Sequence, residues 1–72
     1  AARQRAGQKE LGRLERQLAA ATRQEAELTA ALAASASDYA ALIDLGAQLR
    51  AVQAEKDTIE ERWLELAAEL AG

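Results

Sequence analysis

Two apolar runs in which the spacing alternates between three and four residues fill most of this chain, and no proline interrupts either. Leu11, Leu14, Leu18, Ala21, Glu25, Leu28 and Leu32 follow that rhythm in the first half, with Glu25 as the charged break. Leu42, Leu45, Leu49, Val52, Lys56, Ile59, Trp63, Leu66 and Leu70 follow it in the second, with Lys56 as the break. A 3-4 repeat is the heptad seam of a coiled coil, because 3.5 residues return a side chain to the same face of a slightly underwound helix. A strand would need alternation every second residue and a supply of aromatic and β-branched side chains. Here there is one Trp, one Tyr and no Phe, and the apolar residues are mostly Ala and Leu. Ala, Leu, Glu, Gln and Arg are strong helix formers. The fold class is all-α.

Between the runs lies Ala33-Ala34-Ser35-Ala36-Ser37-Asp38-Tyr39. Ser35 and Ser37 are both suited to capping a helix, and Ser35 with Asp38 resembles a capping box with Asp in place of Glu. So short a connection makes the helices antiparallel neighbours. The expectation is one domain over residues 1–72: helix 1 about 4–34, a turn at 35–37, and helix 2 about 38–71, forming a two-helix antiparallel coiled-coil hairpin. Facing a against d places Leu32 by Leu45, Leu28 by Leu49, Ala21 by Lys56, Leu14 by Trp63 and Leu11 by Leu66. Lys56 then falls within about a turn of Glu25, so the two breaks offset each other. Gly7 and Gly12 each weaken a helix by about 1 kcal/mol relative to Ala, which predicts fraying at the start of helix 1. Arms of about 30 residues give a rod on the order of 45 Å long.

Catalytic chemistry has little to work with. The chain lacks His and Cys, which removes nucleophilic dyads, the usual zinc ligands and disulfides. Its glycines form no phosphate-binding loop, and Glu60, Glu61 and Glu65 read as a solvated face. No enzyme activity and no cofactor are expected of the domain itself. No apolar run approaches the ~20 residues of a membrane span, and no signal peptide is visible. The start at Ala1-Ala2-Arg3, without Met, suggests a piece of a longer, soluble, cytoplasmic protein.

The net charge of -3 conceals an asymmetry. Residues 1–34 hold six basic against four acidic side chains, and residues 35–72 hold three against eight. With Leu11 as heptad position a, Lys9, Arg16 and Arg23 fall at f, Arg13 at c and Arg5 at b, a stripe opposite the seam. Arg5, Lys9, Arg13, Arg16 and Arg23 are thus candidates for contacting a phosphate backbone through salt-dependent, sequence-independent contacts. The same pattern also suits a plain solubilising exterior. Helix 1 has no aromatic residue on which a single strand would stack. Ile43 and Leu64, both at b, lie off the seam; scattered exposed apolar side chains are ordinary, and the alternative is that Leu64, beside Trp63 at the edge, marks contact with another domain or copy.

Several of these features occur together in one known family. They are Leu11-Gly12-Arg13-Leu14-Glu15-Arg16 and Glu25-Ala26-Glu27-Leu28 in the first arm, the turn Ser37-Asp38-Tyr39, and the second arm. That arm runs through Leu45, Leu49 and Val52 into Ile59-Glu60-Glu61-Arg62-Trp63-Leu64-Glu65-Leu66. From Lys9 to Leu70 the chain resembles the C-terminal coiled-coil domain of Uup-type ABC-F ATPases. The resemblance implies a parent with paired nucleotide-binding domains, which would bind ATP outside this chain and act on ribosomes or DNA. It implies a coiled coil that contacts nucleic acid, DNA or ribosomal RNA, weakly given the acidic balance. A structural module packing on its own ATPase core, a ribosomal protein or another copy is the alternative.

Overall fold

A computed structural model describes residues 2–72. It contains two helices, α1 (Ala2–Ala34) and α2 (Tyr39–Ala71), laid antiparallel against each other. Each has 33 residues, or roughly 50 Å of helix, and the rod measures 56 × 14 × 12 Å.

The turn corrects the expected caps. Ser35 belongs to the end of α1, where its N–H donates to the carbonyls of Ala31 at 3.0 Å and Leu32 at 3.2 Å. The N–H of Asp38 then donates to Ser35 O at 2.9 Å and reverses the chain. Asp38, not Ser35 or Ser37, is the N-cap of α2: it is extended, with φ -110 and ψ 95. Its Oδ1 accepts from the N–H of Ala41 at 3.1 Å, and its carbonyl accepts from Leu42 at 3.0 Å. A carboxylate satisfies an orphan donor and also sits well at the positive end of the helix dipole. Ser35, already bonded into α1, could not do the same.

The seam is uneven. Leu14, Ala21 and Leu28 of α1 and Val52, Ile59 and Leu66 of α2 form the buried core. All six occupy position d, counting Leu11 and Leu42 as a. The a residues Leu11, Leu18, Leu49, Trp63 and Leu70 pack against this core but are only partly buried, as is the d residue Leu45 beside the turn. In an antiparallel pair the a positions of both helices lie along one edge of the seam and the d positions along the other. Here the d edge carries Gly7 and Ala21, whose small size lets the helices close on that side. A Cβ added to Gly7 would lie 2.6 Å from Leu70 Cδ2. Gly7 therefore serves packing, and α1 is continuous through both Gly7 and Gly12 instead of ending short of them.

Gly7 against Leu70 also fixes the register, which is the one expected from facing a with d. The two charged breaks meet: Lys56 Nζ donates to Glu25 Oε1 at 3.2 Å, with both side chains about a quarter exposed. The elongated shape limits burial. The accessible surface is 5239 Å², whereas a compact globule of this mass would expose ~4,300 Å². Stability rests on a thin core.

Candidate nucleic-acid interface

Positions b, c and f of α1 face away from α2, and the structure places all five predicted cations there. Arg5, Lys9, Arg13, Arg16 and Arg23 are all exposed. From Arg5 to Arg23 the stripe covers 18 residues, about 27 Å of helix. That length matches roughly eight phosphates of one strand at ~3.4 Å spacing.

The five are not equivalent. Arg13 Nε donates to Glu10 Oε2 at 2.9 Å, and its Nη2 donates to Oε1 of the same carboxylate. This hydrogen bonding holds the Glu10 carboxyl below its ordinary value. Desolvation opposes it, and the charges of Arg13 and, less, Arg62 add to it. The same bond raises Arg13. Arg13 is therefore partly neutralised. The other ion pairs among the described residues are Lys56 with Glu25 and Arg62 with Glu65. Arg5, Lys9, Arg16 and Arg23 have no intramolecular ion-pair partner among the described residues. The arginine of Arg16 folds back toward Gly12, where the missing side chain leaves room for it. Glu10 was absent from the sequence-based site, although its i,i+3 spacing to Arg13 is the usual signature of a helical ion pair.

The opposite long side of the rod is acidic. Asp57, Glu61 and Glu65 are exposed on the exterior of α2, and the antiparallel register sets them level with the Lys9 to Arg23 run. The hairpin is thus polarised across its width, with one basic and one acidic side. Among the described residues no cluster of three or more His, Cys, Asp or Glu could hold a metal ion. No described helix is long and apolar enough to cross a membrane.

The family model for the ABC transporter C-terminal domain matches residues 3–68 of the chain. The chain belongs to this family. The match runs through the seam of both arms, the Asp38 cap and the basic stripe of this ABC transporter C-terminal domain. No curated protein and no solved structure matches it.

Proposed function

We propose that this ABC transporter C-terminal domain is a coiled-coil appendage of an ABC-F type ATPase and contacts nucleic acid through the outer face of α1. The observation that supports the reading is the row of four exposed cations, Arg5, Lys9, Arg16 and Arg23, that form no ion pair among the described residues. A cation already paired must give up that partner before it can bind a phosphate. An unpaired one gains from releasing the counterions condensed on the nucleic acid. The acidic face of α2 lies on the far side of the rod, so it lowers long-range attraction without blocking the contact. In this reading the hairpin carries no catalytic group and no cofactor, ATP is bound by other domains of a cytoplasmic parent, and the nucleic acid is duplex DNA or structured ribosomal RNA.

Four phosphate contacts give a slope of log K against log salt of about -3.6 on B-DNA, and affinity in the non-specific range of ~10⁻⁴–10⁻⁶ M at physiological salt. The experiment is titration of the chain with a DNA duplex and an RNA hairpin at several salt concentrations, for the native sequence and for Lys9→Gln, Arg16→Gln and Arg13→Gln. Lys9→Gln and Arg16→Gln should each reduce the slope by ~0.9, and Arg13→Gln by less, since Glu10 already occupies that guanidinium. Absence of binding at low salt, or unchanged slopes in all three variants, would sink the reading.

A further inference from the structure

Among the described residues, three large apolar side chains are mostly exposed: Tyr39 at 78%, Ile43 at 57% and Leu64 at 62%. Tyr39 stands at e, Ile43 and Leu64 at b. Positions e and b of both helices adjoin the a edge of the seam, so all three lie on one flank. This is the flank on which the a residues are left half-buried. The opposite flank, lined by g and c, exposes no large apolar residue among those described. The a flank carries the exposed apolar groove; the d flank is more tightly packed, with a depression near the chain ends among Arg3, Gly7, Leu66 and Glu69.

The groove is best formed in the half nearer the chain ends. Two adjoining depressions there share Leu18 and Trp63; one is completed by Glu15, Ala19 and Thr22, the other by Glu60 and Leu64. Trp63 Nε1 is buried and has no hydrogen-bond partner, so the part of this half-buried ring that reaches solvent is hydrocarbon. A floor of Leu18 and Trp63 with Leu64 on one wall has the shape and chemistry of the seat for a third helix, as in a three-stranded bundle. The charged residues on its two walls, Glu15 on α1 and Glu60 on α2, have the same sign.

That sign selects the occupant. A second copy laid face to face in the same direction would bring Glu15 of one chain nearly level with Glu60 of the other, on both sides of the contact. Like charges at such a position oppose association. A phosphate backbone is repelled for the same reason. We propose that this groove takes one amphipathic helix from a protein partner, its apolar stripe seated on Leu18, Trp63 and Leu64 and flanked by Lys or Arg facing Glu15 and Glu60.

Trp63 is the only Trp in the chain and reports directly on the site. The probe is a synthetic 21-residue helical peptide without Trp or Tyr, carrying Leu at every a and d and Lys at every e and g. Its twin carries Glu in place of Lys. Adding the Lys peptide to the full chain should shift Trp63 emission to the blue and saturate at one peptide per chain, and the Glu peptide should leave the emission unchanged. Leu64→Gln changes no charge and alters a residue already exposed. It should weaken binding at least tenfold at unchanged helicity. Glu15→Lys with Glu60→Lys should reverse the preference, so that the Glu peptide binds and the Lys peptide does not. The proposal is overturned if neither peptide moves the emission, or if both do so equally. It is also overturned if the double charge reversal keeps the original preference, or if emission shifts with chain concentration alone while the chain sediments as a dimer.

Discussion

Leu14→Ala probes whether the d edge carries the fold. Leu14 is 4% exposed, so the substitution removes three carbons from an almost fully buried site. At ~0.8 kcal/mol per buried methylene-sized group this amounts to about 2.4 kcal/mol. Leu-to-Ala changes in large cores cost ~2–5 kcal/mol because a rigid surround leaves a cavity. Two helices held by one seam can close on the gap, so the cost should sit near the bottom of that range. A domain of this size has on the order of 3–5 kcal/mol in all, so the variant would keep a small margin. Its melting temperature should fall by roughly 10–20 °C, at ~4–8 °C per kcal/mol for a chain of this length. The assay is thermal unfolding followed by far-UV circular dichroism at low micromolar concentration, with Leu18→Ala at the half-buried a edge and Leu64→Ala at the exposed b position alongside. Exposed substitutions of this kind change stability by no more than about 0.5 kcal/mol. The expected order of loss is Leu14, then Leu18, then Leu64. Equal losses at Leu14 and Leu18, or a larger one at Leu18, would refute the unequal burial of the two edges.

Two further outcomes follow from the same geometry. Gly12→Ala should stabilise the hairpin by about 1 kcal/mol through helix propensity, since the added carbon meets only a movable Arg16 guanidinium at 3.5 Å. Gly7→Ala must push Leu70 aside and should gain clearly less in the same melts; equal gains would show that Gly7 has no packing role. For pH, Glu10 titrates below its ordinary value when folded, so its contribution is fully present above the ordinary carboxylate range. It is lost as pH falls through the lowered folded value. Stability measured against pH should therefore show a native advantage over Glu10→Gln near neutrality that vanishes in acid, and an advantage that grows in acid would contradict the Arg13 pairing.

The seam, the antiparallel pairing and the meeting of Glu25 with Lys56 were legible in the sequence because each follows from spacing alone. A 3-4 rhythm marks which residues face inward, and a short connection leaves one way to fold back. What spacing does not encode is how closely the helices approach on each edge. That depends on small residues such as Gly7 and Ala21, and it decided that d is buried, except at Leu45 beside the turn, while a stays open. The cap was misplaced for a local reason. Ser35, Ser37 and Asp38 all have suitable side chains, and only the path of the backbone shows that α1 has already claimed Ser35. The cationic stripe was found by position, but its unequal strength was not, because Glu10 had to be placed beside Arg13 before either charge could be weighed. Tyr39 was likewise visible as an aromatic in the turn, yet its shared flank with Ile43 and Leu64 emerges only once both helices are registered.

Because the hairpin reverses at Asp38, Ala2 and Gly72 both lie at the end away from the turn, and tension applied to the two chain ends meets the seam one layer at a time. Gly7 and Leu70 would part first, then the Leu11–Leu66 and Leu14–Trp63 layers, with Leu32 and Leu45 last. Each step has only its own layer to resist it, whereas pulling along the rod from opposite ends would load every layer at once. Refolding runs the other way. Bringing Leu32 to Leu45 closes a short loop, and each later layer zips onto the one before it at little further loop-closure cost. Arg5 and Lys9 lie on the segment that opens first and re-forms last, so a pull on the chain ends would detach that end of the cationic stripe from α2 while the Asp38 turn stayed closed.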